Sequence, residues 1–204
     1  MQWLVRDGNW PLAALFTAPF LLALVPLWAD KFGIALTLVY VQLPLYLLHQ
    51  WEEHADDRFR QYLNRVAAGG REALTPTMTF WINSLGVWGI DLAALYLAWA
   101  VRPALGLAAG YLSIVNAVAH LAAALRRREY NPGLWTAIGL FLPFGGWCIY
   151  AVARAAQAGW GDHLIGIGIA MAIHVAIIIH VIRRVRSLAT ANRSQLVIVR
   201  QFAP

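Results

Sequence analysis

The sequence predicts an all-α protein, a polytopic transmembrane bundle of about six spans, and three observations carry that expectation. Apolar residues fill 60% of the chain and charged ones only 13%, with a mean hydropathy of +0.58, outside the range of soluble domains. Several apolar stretches approach the roughly 20 residues that cross a hydrocarbon core. They run continuously instead of alternating, so a β-barrel is not expected.

The spans are expected near residues 10–29, 33–53, 78–101, 104–125, 133–157 and 161–182. The first is broken only by Pro19 and Pro26 and lacks a small-residue cleavage site, so it reads as retained and not as a signal peptide. The second is the apolar run from Phe32 to Leu48. Pro76, Arg102-Pro103, Pro132-Gly133 and Gly159-Trp160-Gly161 punctuate the later junctions. Trp10, Trp28, Trp81, Trp99, Trp135 and Trp160 fall near span ends, where an amphipathic ring is best accommodated. Residues 55–75 are too polar to span. Phe59, Tyr62, Leu63 and Val66 recur there at helical spacing, as in a helix lying along the membrane interface. Residues 1–187 thus form one bundle and 188–204 a tail, with Leu196 to Val199 read as a short strand or a disordered end. No internal repeat suggests two inverted transporter halves.

Charge orients the bundle. With six spans, thirteen of the sixteen Lys and Arg fall on one side, leaving Lys31, Arg102 and Arg154 opposite. Both termini are then expected in the cytoplasm. The net charge of +6 comes from these flanking arginines and no nucleic-acid motif accompanies it, so nucleic-acid binding is not expected. The single cysteine, Cys148, lies in an apolar run and can supply neither a disulfide nor a cysteine metal cluster. The Gly159, Gly161, Gly166 and Gly168 series is expected to allow close helix packing.

Against this background His49-Gln50-Trp51-Glu52-Glu53-His54 stands out, because each charge at bilayer depth costs roughly 2.5–3.5 kcal/mol on insertion scales. At 100° per residue Glu52 and Glu53 flank His49, while His54 points about 140° away and is the weaker candidate. Tyr46 and Gln42 continue the stripe inward and Asp56 outward. A second polar face on the fourth span holds Ser113, Asn116 and His120; Asn83, Asp91, His174 and His180 lie on other spans. His49 and Glu53, four residues apart, can grip one metal, and His120 can complete a set of two imidazoles and a carboxylate. That set suits one divalent ion, zinc or iron. Glu52 is expected as the general base or as a bridge to a second metal, Asn116 and Tyr130 as orienting groups, and His174 as a further ligand.

His49-x-x-Glu52-Glu53, followed by His120 and by Tyr130-x-Pro132-Gly133, resembles the HXXEE family of bacterial membrane proteins. The resemblance runs from about the second span through the fifth. It implies a membrane protein and marks these seven positions, but it implies no reaction. The function expected is a metal-dependent membrane enzyme with a cytoplasm-facing site. Its substrate would be a lipid-like or isoprenoid-like molecule and its chemistry hydrolysis by activated water. The alternatives are a metal-free acid/base isomerase or cyclase of isoprenoid-like substrates, and a metal or proton carrier or non-catalytic membrane partner.

Overall fold

A computed structural model describes residues 2–202, with side chains as far as Thr190. Helix α1 (Trp10–Ala23) leads through Leu24, itself in helical conformation, into α2 (Val25–His54). Gly33 interrupts α2 with φ 74° and ψ 170°, a conformation closed to most side chains, and there the chain reverses. Trp10 consequently lies against His54, and the Tyr40 hydroxyl donates to the Leu21 carbonyl at 2.7 Å. The loop expected between the first two spans is thus little more than one glycine.

Asp56 and Asp57, both left-handed, turn the chain into α3 (Arg58–Ala68). Arg60 ties this corner together through Asp57 and Glu72. The Asn64 side chain braces the loop that follows, binding the Leu74 carbonyl and the Ala73 and Leu74 amides at 2.9–3.1 Å. Thr75 then caps α4 (Pro76–Asn83), accepting from the Met78 amide with Pro76 at the first turn, where its missing N–H costs nothing. A wide, π-helical turn at Ser84–Trp88 joins α4 to α5 (Gly89–Ala100).

Helix α6 (Leu107–Arg127) runs through the middle of the bundle. Beyond it come α7 (Leu134–Thr136), a π-helical stretch (Ala137–Gly145) and α8 (Gly146–Ala156). Pro143 sits inside the wide stretch and has no N–H for the ordinary helical bond, so the register opens around it. Helix α9 (Trp160–Phe202) closes the chain. It continues well past the expected span end near residue 182, so the supposed strand at Leu196 to Val199 is helical backbone.

Among the described residues five helical stretches are long and apolar enough to cross a membrane, and α1 is a shorter apolar helix. The most apolar stretch of α9 is only 17% buried, leaving Leu164, Ile165, Met171, Ile178 and Ile182 to face the surroundings. Such a surface suits lipid, and the fold is that of an all-helical membrane protein. The core lies where α2, α6 and the residue 137–156 hairpin arm meet, around Tyr46, Leu107, Leu112 and Phe141. Gln42 links these layers, accepting from Ser113 at 2.8 Å and donating to the Leu38 and Phe144 carbonyls. Of the four glycines expected to permit close packing around α9, only Gly166 does so, against Tyr111 and Leu107; the others look into open space.

Candidate metal centre

Where α2 ends, His49, Glu53 and the α6 residue His120 come together, all buried, each offering a ligand atom within 4.8 Å of the other two. Glu53 lies between the imidazoles, its Oε2 3.5 Å from His49 Nε2 and its Oε1 3.6 Å from His120 Nε2. Ligands about 2.0–2.1 Å from a tetrahedral ion are separated by about 3.4 Å, close to the two distances from the Glu53 carboxylate.

The surroundings settle which ring nitrogens face inward. The Asn131 side chain donates to the His120 carbonyl at 3.0 Å, so its oxygen must be the atom 2.5 Å from His120 Nδ1. His120 Nδ1 therefore carries the proton and Nε2 a lone pair. On the other ring, Thr136 gives its hydroxyl proton to Glu52 Oε2 at 2.5 Å and accepts from His49 Nδ1 at 2.8 Å. His49 Nε2 is likewise a bare lone pair, and it has no hydrogen-bond partner among the described residues. Two lone pairs and a carboxylate thus converge with no donor between them.

His54, which the helical wheel set aside, belongs here. Its Nε2 is 3.0 Å from Glu53 Oε2. Trp88 N–H donates to Gln50 at 2.5 Å, Gln50 to Asn83 at 3.0 Å, and the Asn83 amide, which also donates to the Thr79 carbonyl, points its other proton at His54 Nε2. The direction of every bond in this chain follows from the indole, which can only donate. The single lone pair of His54 Nε2 is thus taken by Asn83, with Glu53 Oε2 3.0 Å from the same nitrogen.

Glu52 faces away from the three-residue group. Its oxygens accept from the Tyr130 hydroxyl, the Trp135 and Thr136 amides and the Thr136 hydroxyl, at 2.5–3.1 Å. It holds the start of α7 as a cap would, supplying acceptors to amides that have no partner in the helix. Tyr130 touches Glu52 and not the cluster. Its hydroxyl is pushed up to about 12, first by desolvation and then by Glu52, so it remains a donor at any physiological pH. Gly133, at φ 96°, lies directly against both rings: an added Cβ would fall 2.8 Å from Cε1 of His49 and of His120. The Tyr130-to-Gly133 turn thus supplies Glu52 with a donor, His120 with an acceptor from Asn131, and the rings with a wall.

Phe141 of the π-helical stretch packs on His49 at 4.4 Å between ring centroids. A cavity of about 860 Å³ opens beside the cluster, bounded by α2, α3, α4, α6 and α9. Glu53, His54, His120 and Asn116 line it, and Asn116 Oδ1 is buried there without a partner among the described residues. Helix α3, expected as an interfacial segment, lays Phe59, Leu63 and Val66 along this cavity. His174 lines the same cavity but stands outside the three-residue group, with its Nδ1 bonded to the Ala170 carbonyl at 2.9 Å. Asp91 is buried on α5 with neither oxygen partnered among the described residues. Asp162 pairs with Arg102 at 2.7 Å and His163 with Tyr111 at 2.8 Å, so both have local partners.

Asn131→Leu tests the ring assignment. Losing the acceptor frees His120 to place its proton on Nε2, and metal affinity is expected to fall about 10–100-fold. Titration with a competing chelator reads the change.

Residues 40–148 match the model of a family described as a protein of unknown function with HXXEE motif. Among curated proteins and among solved structures, nothing matches the chain. The matched segment contains His49, Glu52, Glu53, His120 and the Tyr130-to-Gly133 turn.

Proposed function

The chain belongs to the HXXEE family, whose function is unknown, and on that premise we propose that it is a membrane-embedded, metal-dependent enzyme acting on a lipid-soluble substrate. One observation carries the reading: His49 Nε2, His120 Nε2 and the Glu53 carboxylate face one another as acceptors, with no donor among them. A buried arrangement of that kind is costly unless a cation sits within it. Two imidazoles and a carboxylate suit zinc or iron, and such an ion supplies Lewis acidity and activates water for hydrolysis.

The chain's own residues have separate tasks in this reading. His49, His120 and Glu53 hold the ion. Thr136 and Asn131 keep the two rings in the tautomers that ligation requires. Glu52, with its four donors, is a positioning residue instead of the base, and it leaves no ligand for a second ion. His54 Nε2, at the cavity wall and braced by Asn83, receives or returns a proton. Asn116 orients the substrate through its free oxygen, and Tyr130 acts only through Glu52. The arginines lining the mouth of the cavity support a site that opens toward the cytoplasm, as the positive-inside rule would have it.

Metal analysis of the protein after gentle detergent extraction tests the proposal. About one equivalent of a transition metal is expected. Less than about a tenth of an equivalent, with none regained on addition, ends it.

A further inference from the structure

We propose that the cavity binds a lipid with an anionic phosphate headgroup, held at its mouth by Arg126 and Arg127 while its apolar body extends inward. This deepens the reading above, and rests on it only for where reaction would occur. The cavity of about 860 Å³ is of ligand size. Phe59, Leu63, Ile82, Ile173 and Ile177 give it apolar walls, with Glu53, His54, Asn116 and His120 as its polar side.

Its rim is cationic. Arg65, Arg126 and Arg127 line it against a single carboxylate, Glu129. Arg65 and Arg127 share that carboxylate at 3.5 and 3.9 Å, and Arg65 also lies over the Tyr62 ring at 5.4 Å. Arg126 has neither an ion-pair nor a hydrogen-bond partner among the described residues. An excess of guanidinium groups above an apolar chamber matches an amphiphile with a phosphate at one end.

The geometry also separates headgroup from chemistry. His120 and Arg127 are seven residues apart on α6, about 10 Å along its axis. A phosphate held by the arginines is therefore offset toward the end of α6, and the part of the lipid beyond its headgroup faces Glu53 and His120. The phosphate is a handle and is not the reacting group.

Arginines at the end of a spanning helix also anchor it to anionic membranes, so the test must separate the two roles. Delipidated full-length protein is titrated with dioleoyl phosphatidic acid or dioleoyl phosphatidylcholine, and bound lipid is measured by native mass spectrometry. A preference for phosphatidic acid of about tenfold or more is expected. It should vanish in R126A/R127A and survive in R126K/R127K, in R183A/R184A, with chelator present, and in millimolar inorganic phosphate. R126A/R127A should retain the metal content of the parent, showing that its ligand cluster is intact. Absence of preference in the parent, or equal loss in R183A/R184A, overturns the proposal in favour of surface adsorption. Displacement by inorganic phosphate overturns it in favour of a free-phosphate site. Lipid preference without any metal binding would end the metal reading alone, and metal binding without lipid preference would end this one alone.

Discussion

Glu53→Gln is expected to abolish metal binding while raising the thermal stability of the metal-free protein, and Glu52→Gln to lower stability at the neighbouring position. The chemical change is the same; the surroundings are opposite. Glu53 faces the Nε2 lone pairs of His49 and His120 at 3.5 and 3.6 Å. An amide there loses the charge that holds a divalent ion but gains N–H groups those lone pairs can accept. In the absence of metal the gain is about 1 kcal/mol per hydrogen bond formed. Glu52 instead accepts from two amides and two hydroxyls. Turning one of its oxygens into an amino group sets donor against donor at the start of α7 and costs about 2 kcal/mol. Thermal unfolding of both variants in one detergent with chelator, alongside their metal content, reads the two signs. Equal destabilisation of both would mean that Glu53 already meets a donor in the metal-free protein, and the case for a cation would fall.

That contrast marks the limit of what the sequence made legible. The membrane bundle follows from long apolar runs, and the helix ends from proline, glycine and tryptophan, because these are local properties of the chain. The meeting of His49, Glu53 and His120 was also within reach, since four-residue spacing sets two ligands on one face and a second polar face existed on α6. Glu52 was not. Its partners at Tyr130, Trp135 and Thr136 are about 80 residues away, and only tertiary closure shows that a turn is held there. His54 was discounted from the direction of its Cβ. A flexible glutamate at position 53 nevertheless reaches it at 3.0 Å. Asn131 carried a signal only in retrospect: it sits inside the Tyr130-to-Gly133 turn, between residues already marked by resemblance. That Arg65, Arg126 and Arg127 share a rim was not legible, because α3 must fold over the cavity before they do.

Gly133→Ala should damage the centre more than any other single methyl group added to this turn. The backbone at φ 96° already disfavours a side chain, at about 1–2 kcal/mol. The new Cβ would also lie 2.8 Å from Cε1 of both rings and 3.2 Å from His120 Nε2, well inside van der Waals contact. Neither ring can yield freely: Asn131 holds one and Thr136 the other, and Phe141 backs His49. Overpacking of this kind adds about 1–3 kcal/mol, so a total near 3 kcal/mol is expected. Ligand positions tolerate only about 0.2 Å, so the shift should also weaken metal binding by well over about tenfold. Gly139→Ala is the matched control, since its methyl meets nothing within 4 Å and its backbone is not left-handed. Chelator competition and thermal unfolding of the two variants distinguish the outcomes. If Gly133→Ala behaves like Gly139→Ala in both, the turn does not press on the histidines, and the close assembly from which the metal site was inferred is wrong.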